Sequence, residues 1–115
     1  MFLDGSWHTI VLGDAPRDLA PADRLDVSRL QQAVLTPLLG VGDVRTDKRI
    51  DFVGGARGAA ALETLVDTGK AAVAFSLFPV SVADLMAASD AGEIMPPKST
   101  WFEPKLRDGL LIHAI

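Results

Sequence analysis

Two short runs in this chain carry side chains suited to gripping an anion. The first is Gly54-Gly55-Ala56-Arg57-Gly58. It falls between Ile50-Asp51-Phe52-Val53, which reads as a short strand, and a helical pattern carried by Ala60, Leu62, Leu65 and Val66. A glycine turn in that place can aim backbone N–H groups, and the positive end of the following helix, at an anion. Arg57 would add a two-pronged donor. The run matches neither the P-loop nor the dinucleotide fingerprint. Gly54, Gly55 and Gly58 also suit a structural purpose, a tight strand-to-helix turn, and taken alone the pattern favours that purpose.

The second run is Met95-Pro96-Pro97-Lys98-Ser99-Thr100-Trp101-Phe102-Glu103-Pro104-Lys105. Two prolines stiffen its approach, so Lys98, Ser99 and Thr100 would be presented with little conformational freedom left to lose. A lysine beside two hydroxyls makes a cradle for a phosphate or carboxylate, and Glu93 or Glu103 offers a base. A rigid loop leading into a strand, with a solvated Lys98, explains the same residues, and composition does not separate the two readings.

Other reactive side chains give weaker signals. His8 sits in an expected strand and His113 lies two residues from the end of the chain. Trp7 and Trp101 suit a core better than a ligand platform, since large aromatics dominate cores. Asp84, Asp90 and Glu93 follow one another along and just beyond a helical stretch, a pattern that fits a solvated face. No Ser-His-Asp, Cys-His or metal-ligand spacing emerges. With no cysteine and two histidines, disulfides and thiolate sites are excluded and a conventional zinc site is not expected.

The elements that must position these residues can be read from the punctuation. Asp4-Gly5 supplies the positive-φ pair of a hairpin turn, with a first arm so short that the chain is expected to begin inside a strand of a longer parent. Gly13 to Arg24 reads as a loop. A helix capped by Asp26 or Ser28 carries Val27, Leu30, Val34, Leu35 and Leu38, is bent by Pro37 and ends at Gly40. The second helix stops at Gly69. Ala71 to Phe78 is a near-continuous apolar run that suits a strand buried on both faces. Ser81-Val82-Ala83-Asp84 resembles a capping box opening a third helix that closes at Gly92. Trp101-Phe102 and Leu110-Leu111-Ile112 read as two final strands. The expected fold is α/β (or α+β): one compact domain over residues 1–115, with a mixed sheet of about five strands, three helices and antiparallel pairing at the ends.

The bulk numbers agree with one globular domain. Its 115 residues are 49% hydrophobic and 23% charged, too apolar for a disordered chain. A net charge of −4 with scattered Lys and Arg argues against a nucleic-acid partner. No run of ~18 apolar residues is present to cross a membrane. Residues 1–10 do not read as a signal peptide, and the absence of cysteine suits a cytoplasmic location.

The run from Ser89 to Leu111, with Met95-Pro96-Pro97-Lys98-Ser99-Thr100 at its centre, resembles the C-terminal signature of domain of unknown function 1015, a family of bacterial and archaeal proteins. Leu25-Asp26-Val27-Ser28 with Pro37-Leu38-Leu39-Gly40, Val53-Gly54-Gly55 with Gly58, and Ala74-Phe75 with Pro79 and Val82 resemble its other segments. The resemblance implies a longer parent with an upstream Asp-Gly-His-His-Arg-type motif that this chain does not contain. It brings no settled activity or cofactor. A loose fold-level similarity of that upstream part to partition-protein and sulfiredoxin-like folds, some of which phosphorylate free serine, is analogy only. The resemblance does shift Lys98, Ser99 and Thr100 towards a ligand-binding purpose. Three functions follow as expectations: a ligand-binding or docking module that completes a site with a missing N-terminal part, part of a phosphotransferase acting on a small metabolite, or a structural domain that forms a homodimer through exposed strand edges. The expected ligand is small and anionic, held by Lys98, Ser99, Thr100, Arg57, Gly54 and Gly55.

Overall fold

A computed structural model describes residues 1–100 of the chain. It opens with a hairpin. Phe2–Leu3 (β1) pairs antiparallel with Ser6–Trp7 (β2), and the turn between them holds Asp4 at φ 49° and Gly5 at φ 73°. Two successive positive φ values define the turn type whose twist matches a hairpin, which is why Asp-Gly stands there. Phe2 is buried, and its ring meets that of Trp7 at 5.2 Å between centroids. Phe2 also exchanges both backbone hydrogen bonds with Ala74, at 2.8 and 3.1 Å. The hairpin therefore closes onto the middle of the chain.

After a loop, a 3-10 turn at Pro21–Arg24 leads into three helical segments, Asp26–Leu30, Gln31–Leu35 and Thr36–Leu39, that run on without a break and together form α1. The middle segment is a π turn, in which the Thr36 N–H donates to the Gln31 carbonyl five residues back. Pro37 accounts for it. A proline ring collides with the carbonyl four residues earlier in a regular helix and offers it no N–H, and a wide turn just upstream relieves both faults. Gln31 bridges this turn to the following loop, its Nε2 donating to Thr36 Oγ1 at 2.7 Å and to the Gly42 carbonyl at 2.9 Å. Gly40, at φ 63°, ends the helix as expected. The start differs from expectation. Leu25 occupies the cap with no capping side chain, and the Ser28 hydroxyl donates instead to the Ala22 carbonyl at 2.7 Å.

Two further helices follow, Gly58–Asp67 (α2) and Val82–Asp90 (α3). Both end in the same six-residue closure. Beyond α2, Gly69 N–H donates to Val66 O and Lys70 N–H to Leu65 O; beyond α3, Gly92 N–H donates to Ser89 O and Glu93 N–H to Ala88 O. Gly69 and Gly92 have φ of 72° and 69°, the left-handed position that glycine fills in this motif. Ser81 caps α3, its Oγ accepting from the Asp84 N–H and donating to Asp84 Oδ2. α2 packs on β1 and α3 packs on the 3-10 turn.

The mixed sheet of about five strands does not form. Among the described residues there is one two-stranded hairpin and a single additional bridge, at Ala74. Ile50-Asp51-Phe52-Val53 is not a strand, and two of its N–H groups are committed locally. Ile50 N–H donates to the Asp47 carbonyl and Phe52 N–H to Asp51 Oδ1 at 2.8 Å, the side-chain competition by which Asp draws a backbone out of a ladder. Among the described residues, Ala71 to Phe78 pairs only at Ala74. Its alanines offer little cross-strand contact, and the Ala71 N–H is taken by the Leu65 carbonyl. The expected strands at Trp101-Phe102 and Leu110-Leu111-Ile112 lie outside the described residues. The fold is mixed but helix-rich, and the core is thin: Phe2, Leu25, Leu30, Val41, Ala74 and Ala88 are its buried members among the described residues. No helix among those residues is long and apolar enough to cross a membrane.

Between α1 and the glycine turn, Asp43-Val44-Arg45 and Asp47-Lys48-Arg49 repeat one device. Each aspartate accepts from the backbone N–H and the guanidinium of the arginine two residues on. Arg49 also donates to the carbonyls of Leu39 and Gly40 and so closes the end of α1, where the helix dipole favours a cation. These bonds hold the Asp47 carboxyl well below the usual carboxylate range, and the Arg45 guanidinium and N–H lower that of Asp43 to about 2. An unfolded aspartate titrates near ~3.9, so each pair stabilises the fold above about pH 4 and loses its effect as pH falls through the lower folded value. A carboxyl NMR titration of Asp43 is expected to give a midpoint of about 2, rising in Arg45→Ala but staying below the free value of ~3.9 because the residue-45 backbone N–H still donates; an ordinary midpoint in the native chain would contradict the pairing.

Candidate functional site

The glycine turn is a backbone structure first. Gly54 is extended at φ −61° and ψ 135°, and a 3-10 turn at Gly55–Arg57 closes when Arg57 N–H donates to the Gly54 carbonyl at 3.0 Å. Gly58 then takes φ 69° and ψ 179°, a region essentially reserved for glycine, and α2 starts there. Gly54 and Gly55 are different. Their φ values are ordinary, and a Cβ on either would meet nothing within 4 Å. Neither backbone strain nor packing demands glycine at those two positions. What the two glycines do provide is bare backbone at the mouth of the helix.

That mouth is a depression of about 300 Å³, lined by Gly54, Gly55, Ala56 and Arg57 and open to solvent. No side chain caps the start of α2, and no acidic residue stands in its first turn. Among the described residues the exposed Arg57 side chain has neither a hydrogen bond nor an ion pair. An uncapped helix start carries a partial positive charge, and beside it stands a guanidinium able to bind an oxyanion in two places. The arrangement can hold a phosphate or carboxylate. It contains no nucleophile and no base.

The Lys98 loop is built separately. Ser99 N–H approaches the Pro96 carbonyl at 3.4 Å and the Ser99 hydroxyl donates to the same oxygen at 2.6 Å. Lys98 has φ 57°. A turn with proline second and a positive φ third follows the type II pattern, which normally places glycine or asparagine at that third position. A side chain there costs roughly 1–2 kcal/mol. The amino-acid sequence carries one visible sign of this strain, Pro97 ahead of a turn residue. The Ser99 hydroxyl is thus engaged within its own turn, while Lys98 and Thr100 are exposed.

The two runs do not share a wall. Lys98, Ser99 and Thr100 are not among the residues that line the depression. The segment leading to Lys98 is tied elsewhere, because Glu93 Oε2 accepts from the Ala22 N–H at 2.6 Å and anchors it to the 3-10 turn. Glu93 therefore caps a helical turn, Asp84 serves the α3 cap, and Glu103 lies outside the described residues. Trp7 is half exposed, and its indole N–H donates to Glu63 Oε1 at 2.6 Å, which fastens α2 to the hairpin. His8 exchanges backbone bonds with Met1 at the open end of the hairpin, and His113 lies outside the described residues. Among the described residues no three His, Cys, Asp or Glu side chains gather into a possible metal cluster.

Comparison with protein-family models gives no match, and comparisons with curated proteins and with solved structures give none either. The site must be read from its own geometry. Gly58→Ala is expected to destabilise the fold by about 1–3 kcal/mol in urea unfolding, whereas Gly54→Ala should leave stability within ~0.5 kcal/mol. Equal losses at both positions would show that the turn is not shaped as described.

Proposed function

We propose that this chain is a binding module that takes up an anionic group, a phosphate or carboxylate of a small ligand, at the start of α2. The observation that carries the reading is the uncapped first turn of α2 above bare Gly54-Gly55 backbone, with the Arg57 guanidinium unengaged among the described residues. Arg57 would bind the anion at two oxygens, and the backbone N–H groups of the turn would complete its shell. Lys98 is a second cation, held in a strained turn and free to approach a larger ligand from outside the depression. Thr100 would reach a ligand only together with Lys98. Relationship to the domain of unknown function 1015 family is proposed on the Met95–Thr100 run and its companion segments. A cytoplasmic location is proposed on the absence of cysteine.

A second reading, docking onto a larger protein surface, is favoured by a different observation. Phe78, Val82 and Met86 are 86%, 72% and 59% exposed. Val82 and Met86 are four residues apart on α3 and share one face. Apolar surface gathered in this way marks interaction sites more often than plain exterior. Docking and anion binding are compatible, since Phe78, Val82 and Met86 are not among the residues that line the depression.

The test is a thermal-melting series with phosphate, phosphoserine, nucleotides and free amino acids. A ligand at a hundred times its dissociation constant adds ~2.7 kcal/mol, on the order of 10 °C for a domain of this size. The shift is expected to disappear in Arg57→Ala and to survive in Lys98→Ala. A shift that Lys98→Ala abolishes and Arg57→Ala does not would move the site to the other loop, and no shift with any compound would sink the reading.

A further inference from the structure

We draw no further inference here: the strongest candidate, the exposed apolar face that Val82 and Met86 form on α3, carries nothing beyond the docking reading already given, because nothing in the structure shows what covers it.

Discussion

Two backbone hydrogen bonds between Phe2 and Ala74 clasp the N-terminal hairpin to the middle of the chain. They join residues 72 apart in sequence, so the chain must close a long loop before either bond can form. The entropy of that closure grows only slowly with length, and burial of Phe2 against Trp7 and Ala74 offsets it. Everything near the hairpin then follows. Trp7 reaches Glu63 and fixes α2. The closure after α2 turns the chain at Gly69 and directs Ala71 to Ala74 back along β1. A second anchor, Glu93 on Ala22, ties the end of α3 to the start of α1. The two anchors act on different parts of the chain, and between them they use few large apolar side chains.

That thin core bears on function. A domain that buries only Phe2, Leu25, Leu30, Val41, Ala74 and Ala88 among its described residues leaves Phe78, Val82 and Met86 on the outside. Packing within the described chain does not explain their character, whereas an external surface would. The polar candidate site has the complementary property. Gly54 and Gly55 are not required by their own conformation, yet they leave backbone exposed beside Arg57. Residues that the fold does not need are the ones that a ligand would explain.

Local chemistry was legible in the sequence and partner-dependent structure was not. Asp4-Gly5 announced its turn because two positive φ values admit few residues. Gly40, Gly69 and Gly92 announced helix ends for the same reason, and Ser81 its cap. These signals depend on a handful of neighbouring atoms. Ile50-Asp51-Phe52-Val53 and Ala71 to Phe78 looked like strands because their side chains are apolar, but a strand exists only where another strand receives its N–H groups. Asp47 and Asp51 receive the Ile50 and Phe52 N–H groups of the first run, and among the described residues Phe2 meets the second at a single residue. The helix after the glycine turn is legible in the sequence, but the strand expected before it does not form. The turn's separation from the lining of Lys98, Ser99 and Thr100 was not readable, because Glu93 sets it through a contact with Ala22, distant in sequence. The strain at Lys98 was hidden as well, since lysine gives no hint of a left-handed backbone.

The central claim is that a hairpin clasped to Ala74, and not a mixed sheet, organises the chain. Amide hydrogen exchange on dilute protein tests it residue by residue. Slow exchange is predicted at Phe2 and Ala74, with fast exchange at Asp51 and Val53, whose N–H groups have no ladder to join. Protection running continuously through Ile50–Val53, at the level of Ala74, would restore the sheet and contradict the account.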